Sequence, residues 1–278
     1  MTTLQAILLG LIQGLAEFLP ISSSGHLSIF QNFLGITSPE ESSMLFDVLL
    51  HFGTLISVCV VYWKDIVSIV QEGLDLVKSH GHPVPGEKKS YPAVRLLMMM
   101  FFATLPLFLV LPVKDQIEKL YMHTGFIGFA LLMTGAILYT SDRMPRGSKN
   151  EKTMRIRDAL RIGLCQFVAT IPGMSRSAVT IAGGIATGLE REFAVKFSFL
   201  ISLPAVLGAN VLSIADAVKA GVDWGNLPKY LLGMLVAMLS GYFALNFIKY
   251  IAQKGKFGGF AVYCWFAGAV TLLLTIIL

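Results

Sequence analysis

Apolar residues run along this chain in blocks rather than in alternation, and six blocks are long enough to cross a hydrocarbon core of roughly 30 Å as helices. They lie at about 43–63, 92–113, 124–141, 192–215, 228–249 and 258–278. Two further apolar stretches, 4–35 and 157–188, are interrupted near their middles by "FLPISSSG" and "TIPGMSRS". Each half is then too short to span alone, so each stretch reads as a re-entrant helix pair. Non-helical backbone at membrane depth is tolerated only against protein or beside water, so both interruptions are expected to line a cavity. The predicted fold class is an all-α polytopic membrane protein with six transmembrane helices and two re-entrant pairs.

Sliding the chain against itself by 153 positions aligns "AILLGLIQGLAEFLPISSS" from Ala6 with "ALRIGLCQFVATIPGMSRS" from Ala159. Seven of the nineteen positions are identical, including Gln13/Gln166, Ser22/Ser175 and Ser24/Ser177. Each half then holds one re-entrant pair and three spans, and an odd number of spans turns the second copy upside down, as an inverted-topology repeat. The expected division of this one integral-membrane domain is a first repeat at 1–141, a basic linker at 142–158 and a second repeat at 159–278. Inversion lets the two interruptions meet near the midplane and share one site.

Charge fixes an expected orientation. If 142–161 is cytoplasmic, then 64–91, 189–196 and 249–256 are also inside, and these four segments carry 16 of the 22 Lys and Arg residues. The outside segments 1–42, 114–123 and 216–229 carry four. By the positive-inside rule both termini face outward. The net charge of +5 is accounted for by this topology and implies no nucleic-acid surface. A hydrophobic content of 55%, only 14% charged residues and a mean hydropathy of +0.70 exclude an ordinary soluble domain. "MTTLQ" lacks a basic leader and Glu17 interrupts the apolar run behind it, so the N-terminus does not read as a signal peptide.

Other features change this picture little. Cys59, Cys165 and Cys264 have no metal-ligand spacing and read as buried, unpaired thiols. The segment 64–91, with His80 and His82, reads as a solvated loop. Gly233, Ala237 and Gly241 form a small-residue face for helix packing, either within the chain or in a homodimer.

Glu17 and Arg176 are the ionisable residues committed to the interruptions, and each costs about 2.5–3.5 kcal/mol at the centre of a lipid-facing helix. They need partners: a mutual ion pair serving only structure, or a polar site. In "PISSSGH" Pro20 ends one helix and Ser22, Ser23, Ser24 and Gly25 can start the next. "PGMSRSAVT" repeats that arrangement with a cation added. Two opposed helix N-termini plus an arginine suit a diphosphate. Gln13 and Glu17, spaced i, i+4, share a helix face on which two side-chain oxygens could hold a divalent metal. His26 follows Ser23 by three residues, within reach of its hydroxyl or of a water, so Ser23, His26 and water are all candidate nucleophiles. The second copy has Thr170 for Glu17 and Val179 for His26. Asp47 and His51, again i, i+4, with Thr54 beyond, form either a supporting layer around the site or a polar stripe bonded to neighbouring helices.

"QGLAEFLPISSSGH" and "PGMSRSAVT" resemble the [E/Q]xxxE and PGxSRSxxT blocks of the undecaprenyl pyrophosphate phosphatase family, also called the bacitracin-resistance proteins, and the segment plan is similar over essentially the whole chain. The resemblance implies an enzyme of the bacterial plasma (inner) membrane that removes the terminal phosphate of a C55 polyprenyl diphosphate. That reaction regenerates the lipid carrier for cell-wall synthesis, confers bacitracin resistance and uses a divalent cation, Mg²⁺ or Ca²⁺. By motif position Glu17 and Gln13 look like the metal and catalytic pair, Ser22, Ser23, Ser24 and Gly25 the serine cluster, and His26 the catalytic imidazole. Arg176, with Gly173, Ser175, Ser177 and Thr180, looks like the diphosphate-binding block. Gln13 stands where many members have a second carboxylate, and an amide is the weaker ligand for a hard cation. The competing reading is an inverted-repeat transporter or lipid-phosphate flippase using the same anion site. A carrier, however, needs no nucleophile beside a base.

Overall fold

The computed structural model describes residues 1–33, 44–78, 91–121, 123–220 and 224–277, and among them regular structure is helical apart from one isolated bridge between Lys149 and Leu189. The helices in order are α1 (Thr3–Phe18), α2 (Ser23–Phe33), α3 (Met44–Val61), α4 (Trp63–Lys78), α5 (Pro92–Thr104), α6 (Lys114–Leu120), α7 (Thr124–Ser141), α8 (Ile156–Val168), α9 (Arg176–Ala186), α10 (Arg191–Ala220), α11 (Leu227–Lys254) and α12 (Gly258–Ile277). Six segments are long and apolar enough to cross a membrane: Met44–Val61, Pro92–Ile117, Thr124–Ser141, Arg191–Val211, Trp224–Lys254 and Gly258–Ile277. These are the six blocks of the hydropathy pattern.

Two spans depart from regular helix for a covalent reason. Between α5 and α6 the chain runs as 3₁₀ helix over Leu105–Val113, which contains Pro106 and Pro112. Each proline lacks an N–H, which breaks the i to i−4 ladder. A nine-residue 3₁₀ run is unusually long. Pro204 lies inside α10 and leaves the carbonyl one turn before it without its helical donor.

Lipid tails are as apolar as leucine, so side-chain hydrophobicity alone does not draw these helices together, and close packing of small residues takes its place. Gly10 and Gly14 of α1 lie so near α11 that an added methyl would strike the carbonyl oxygens of Gly233 and Ala237. On the same helix a methyl at Gly241 would meet the Phe18 ring and Ser57 Oγ. The small-residue face of α11 is therefore consumed by α1 and α3 inside one chain. Helices α7 and α12 also approach closely, at Gly128 and Gly268. Around these contacts Phe18, Phe197, Phe199 and Phe257 are fully buried, with the Phe18 and Phe199 rings edge to face at 5.5 Å. Large apolar side chains such as Phe101, Phe243 and Phe266 point outward instead, as suits a surface facing lipid.

Two expectations need correction, on the segment 64–91 and on the thiols. The segment 64–91 is not all loop: α4 occupies its first half, because Trp63, Val70, Leu74 and Val77 recur at helical spacing and form one exposed apolar stripe. His80 and His82 lie outside the described residues. The linker after α7 is tied down, with Lys149 Nζ donating to Asp158 Oδ2 at 2.9 Å and to the Thr187 carbonyl at 2.6 Å. Of the three unpaired thiols only Cys264 is buried, whereas Cys59 and Cys165 are half-buried.

Candidate active site

Helix α1 ends at Phe18 and α2 begins at Ser23, so the chain turns within four residues. Ser22 takes a left-handed backbone conformation, φ 75°, which is costly outside glycine and is held here by its hydrogen bonds. Its Oγ accepts from the Gly25 N–H at 3.2 Å and caps α2, and its carbonyl accepts from the His26 N–H at 3.2 Å. Its Oγ also lies 3.5 Å from Ser24 Oγ.

The second turn joins α8 to α9. Here the left-handed residue is Gly173, φ 85°, packed so tightly that a methyl would meet the Ile127 carbonyl and Ala130. Ser175 Oγ accepts from the Ala178 N–H at 3.2 Å and caps α9, its carbonyl accepts from the Val179 N–H at 3.0 Å, and its Oγ lies 3.1 Å from Ser177 Oγ. The Thr134 hydroxyl oxygen on α7 accepts from the Ser175 N–H at 3.1 Å and steadies the turn.

The two turns touch. A methyl on Gly25 would sit 3.4 Å from Gly173 Cα, and Ser177 Oγ reaches the Leu19 carbonyl at 3.5 Å. The main link is charged: Arg176 Nη2 donates to Glu17 Oε1 at 2.6 Å. The other Glu17 oxygen, Oε2, accepts from Ser23 Oγ at 2.6 Å and from Gln13 Nε2 at 3.1 Å. His51 Nδ1 stands 3.8 Å from the same oxygen and 2.9 Å from Gln13 Nε2. One buried carboxylate thus gathers a guanidinium, a hydroxyl, an amide and an imidazole.

Beside this knot is a cavity of about 650 Å³, whose polar wall includes Glu17, Ser23, Ser24, Ser175 and Arg176, with Asp47 and His51 also lining it. Its apolar wall includes Leu107, Phe108 and Leu111 from the 3₁₀ run and Val206 from α10. A charged corner thus opens into an apolar chamber.

Several expected site residues sit elsewhere. His26 does not face Ser23. Its Nδ1 lies 2.8 Å from the Ser22 carbonyl, which can only accept, so Nδ1 carries the proton. Its Nε2 lies 2.7 Å from Tyr263 Oη, and the two rings stack at 5.6 Å. Thr180, expected at the substrate, is fully buried, donates to the Arg176 carbonyl at 2.7 Å and meets Ser198 Oγ at 2.6 Å, so it braces α9. Ser22, Gly25, Gly173 and Ser177 build the turns behind the cavity wall. Asp47 keeps its place on the cavity wall, where its Oδ1 accepts from Gln31 Nε2 at 3.1 Å, and Thr54 bonds the His51 carbonyl of its own helix. Gln13 turns its nitrogen, not its oxygen, toward Glu17, and its Oε1 is buried without a partner among the described residues.

Residues 6–270 match the family model described as bacitracin resistance protein BacA. The chain is 39% identical to an undecaprenyl-diphosphatase of Alkaliphilus metalliredigens, with 100% of each chain covered. It is 38% identical to one of Carboxydothermus hydrogenoformans, with 99% of this chain and 98% of the relative covered. It is 37% identical to one of Methanosphaera stadtmanae, with 99% of each covered.

Proposed function

The chain belongs to the bacitracin resistance protein BacA family, and we propose that its two helix breaks together form the site at which it hydrolyses undecaprenyl diphosphate to the lipid monophosphate and inorganic phosphate. The observation that carries this assignment is the Glu17 carboxylate, with a hydroxyl on one oxygen and a guanidinium on the other. A plain carrier has no use for the first of these.

Phosphoryl transfer asks for positioning and charge stabilisation more than for covalent ingenuity. Ser23 Oγ attacks the terminal phosphorus, a new O–P bond forms, the bridging P–O bond breaks, and lipid monophosphate leaves. The hydroxyl proton passes to Glu17 Oε2, to which it is already directed. Glu17 passes that proton to the departing monophosphate. Water then attacks the phosphoserine and gives its proton to Glu17, the Ser23 O–P bond breaks, inorganic phosphate is freed, and the proton returns from Glu17 to Ser23 Oγ. Glu17 serves equally as base if a water beside Ser23 attacks directly. Arg176 stabilises the shifting charge through Nη1, a buried donor with no partner among the described residues, together with the N-terminal ends of α2 and α9. His26, bonded to Ser22 and Tyr263, maintains the first turn rather than deprotonating Ser23.

A divalent cation, Mg²⁺ or Ca²⁺, fits the residues present, because the orphaned Gln13 Oε1 is a hard acceptor one helical turn from the Glu17 carboxylate. Among the described residues no three His, Cys, Asp or Glu side chains group together, so Glu17 and Gln13 are the side chains that would hold it. When bound, it supplies neutralising charge to the substrate phosphates.

The same proposal includes the architecture. At 16 and 13 residues, α1 and α8 reach about 24 and 20 Å, short of the hydrocarbon core, which supports re-entrant pairs. The packing also exchanges halves: α1 lies on α11 as α8 lies on α5, and α3 lies on α11 as α10 lies on α5. Those pairings support the inverted repeat, with 1–141 and 159–278 as its copies. Met44, Tyr121 and Ser213 line the cavity at one end of the bundle, whereas Lys64, Lys152 and Lys249, with Asp65, Glu151, Glu190 and Glu192, line a second cavity at the other end, where the loops counted as basic lie. With the basic end cytoplasmic, the site and both termini face out of the cell.

Phosphate release from farnesyl or undecaprenyl diphosphate by the purified protein tests the assignment. Release with Mg²⁺ or Ca²⁺ that stops on chelation is expected. No release under any of these conditions contradicts it.

A further inference from the structure

Beyond Arg176 Nη1, two amides on the cavity wall lack partners. Gln166 is 1% exposed and Asn210 is 6% exposed. Both line the same cavity as Glu17, Ser23 and Arg176. Yet Gln166 Nε2, Gln166 Oε1 and Asn210 Nδ2 have no hydrogen-bond partner among the described residues. Buried amides in folded proteins are nearly always bonded, so two orphans on one wall point to a missing ligand.

The alignment of the two halves explains how Gln166 came to be free. Its counterpart Gln13 directs its nitrogen to Glu17 and His51. Glu17 is matched by Thr170, and, with the start of α3 at Met44 set against that of α10 at Arg191, His51 is matched by Ser198. Thr170 donates its hydroxyl to the Phe167 carbonyl at 2.7 Å, and Ser198 Oγ is taken up by Thr180 Oγ1 at 2.6 Å. The second half keeps the amide and has lost what the amide bonded.

Two neutral donors and a guanidinium N–H facing one chamber suit a ligand rich in acceptors, which is what phosphate oxygens are. The terminal phosphorus must lie at Ser23 Oγ, beside Glu17 and Arg176. Asn210 shares its part of the wall with Val206 and Ala209, toward the apolar chamber. Building on the hydrolase assignment above, we propose that Gln166 and Asn210 bind the lipid-attached phosphate, the one that remains on the product. Gln166 Oε1 then accepts from a water or a protonated oxygen on that group. Neutral donors orient this phosphate without the charge that would hold the monophosphate after reaction and slow its release.

Gln166→Met and Asn210→Leu keep the bulk and remove the polar atoms. In the full-length protein each should raise the inhibition constant of farnesyl monophosphate about tenfold, with KM for farnesyl diphosphate rising in parallel and kcat changing less. The Tm of the ligand-free protein should stay level or rise, because an unsatisfied buried group has gone. A fall in Tm with the inhibition constant unchanged overturns the proposal by making the amides structural. Weaker inhibition by inorganic phosphate, with monophosphate inhibition intact, overturns the assignment to the lipid-attached phosphate. Thermal-shift binding of farnesyl monophosphate to the wild type separates the two claims. Binding that depends on both amides in a chain that releases no phosphate upholds this site and removes the hydrolase assignment.

Discussion

In the first turn Ser22 caps α2 through the Gly25 N–H and reaches Ser24; in the second, Ser175 caps α9 through the Ala178 N–H and reaches Ser177, each residue 153 positions from its counterpart. Between the outer serines the first turn carries Ser23 and the second Arg176. One helical turn earlier the first has Glu17 where the second has Thr170, and later the first has His26 where the second has Val179. What repeats is what a helix start in an apolar medium requires, an oxygen on the orphan N–H groups. What differs is the set of groups proposed to react. The comparison teaches that the capping serines belong to the architecture, and that the proposed division of labour lies in the positions where the copies diverge.

The largest effect should come from the acid that only one copy has. Glu17→Gln preserves shape and removes the base and the counter-charge, so kcat/KM should fall about 10³-fold or more. Thr170→Val, at the matching position, should change it less than about threefold, because the Thr170 hydroxyl serves its own backbone. Equal losses in the two variants would break the comparison.

Next in size is the contrast between Ser23 and His26. Ser23→Ala should cost about 10²-fold or more in kcat, and His26→Ala about tenfold, with Tyr263→Phe affecting the same contact more mildly. Rapid-quench trapping with terminally labelled substrate should yield an acid-stable phosphoserine. An acid-labile adduct would return His26 to the nucleophile's place, and no adduct during turnover would favour water.

Smaller, and on stability rather than chemistry, is the contrast between the two glycines where the turns meet. Gly173→Ala combines a left-handed backbone with a collision against the Ile127 carbonyl, whereas Gly25→Ala meets neighbours no closer than 3.2 Å. Gly173→Ala should therefore cost about 2–4 kcal/mol and Gly25→Ala about 1 kcal/mol, read as Tm in detergent. The reverse order would mean that the second turn is less constrained than its geometry indicates.

Much of this was legible in the residues. Spans are long apolar blocks, and only six occur. Glu17 and Arg176 announced each other because a charge in an apolar segment needs a partner. The serines marked both breaks, but sequence could not say that Ser22 and Ser175 cap helices or which oxygens turn into the cavity, and Ser177 and Thr180 turn away from it. Tyr263 lies 237 positions from His26 and carried no periodic or motif signal. Gln166 had a signal, its identity with Gln13, whose meaning emerged only once one amide was seen bonded and the other free. Helix α4 was hidden by its charged residues, which mask an apolar stripe lying along one face.

The central claim is that the two turns act as one catalytic unit through Glu17 and Arg176, and a double-mutant cycle on kcat/KM with farnesyl diphosphate tests it most directly. Glu17→Asp and Arg176→Lys each retain charge but lose reach or the planar fork that holds two phosphoryl oxygens, so each alone should be severely impaired. If the residues act together, the double variant should fall no more than about tenfold below the worse single, leaving a coupling well outside additivity. Losses that simply multiply would contradict the account, and would make the 2.6 Å contact between the turns a structural ion pair beside a site that works without it.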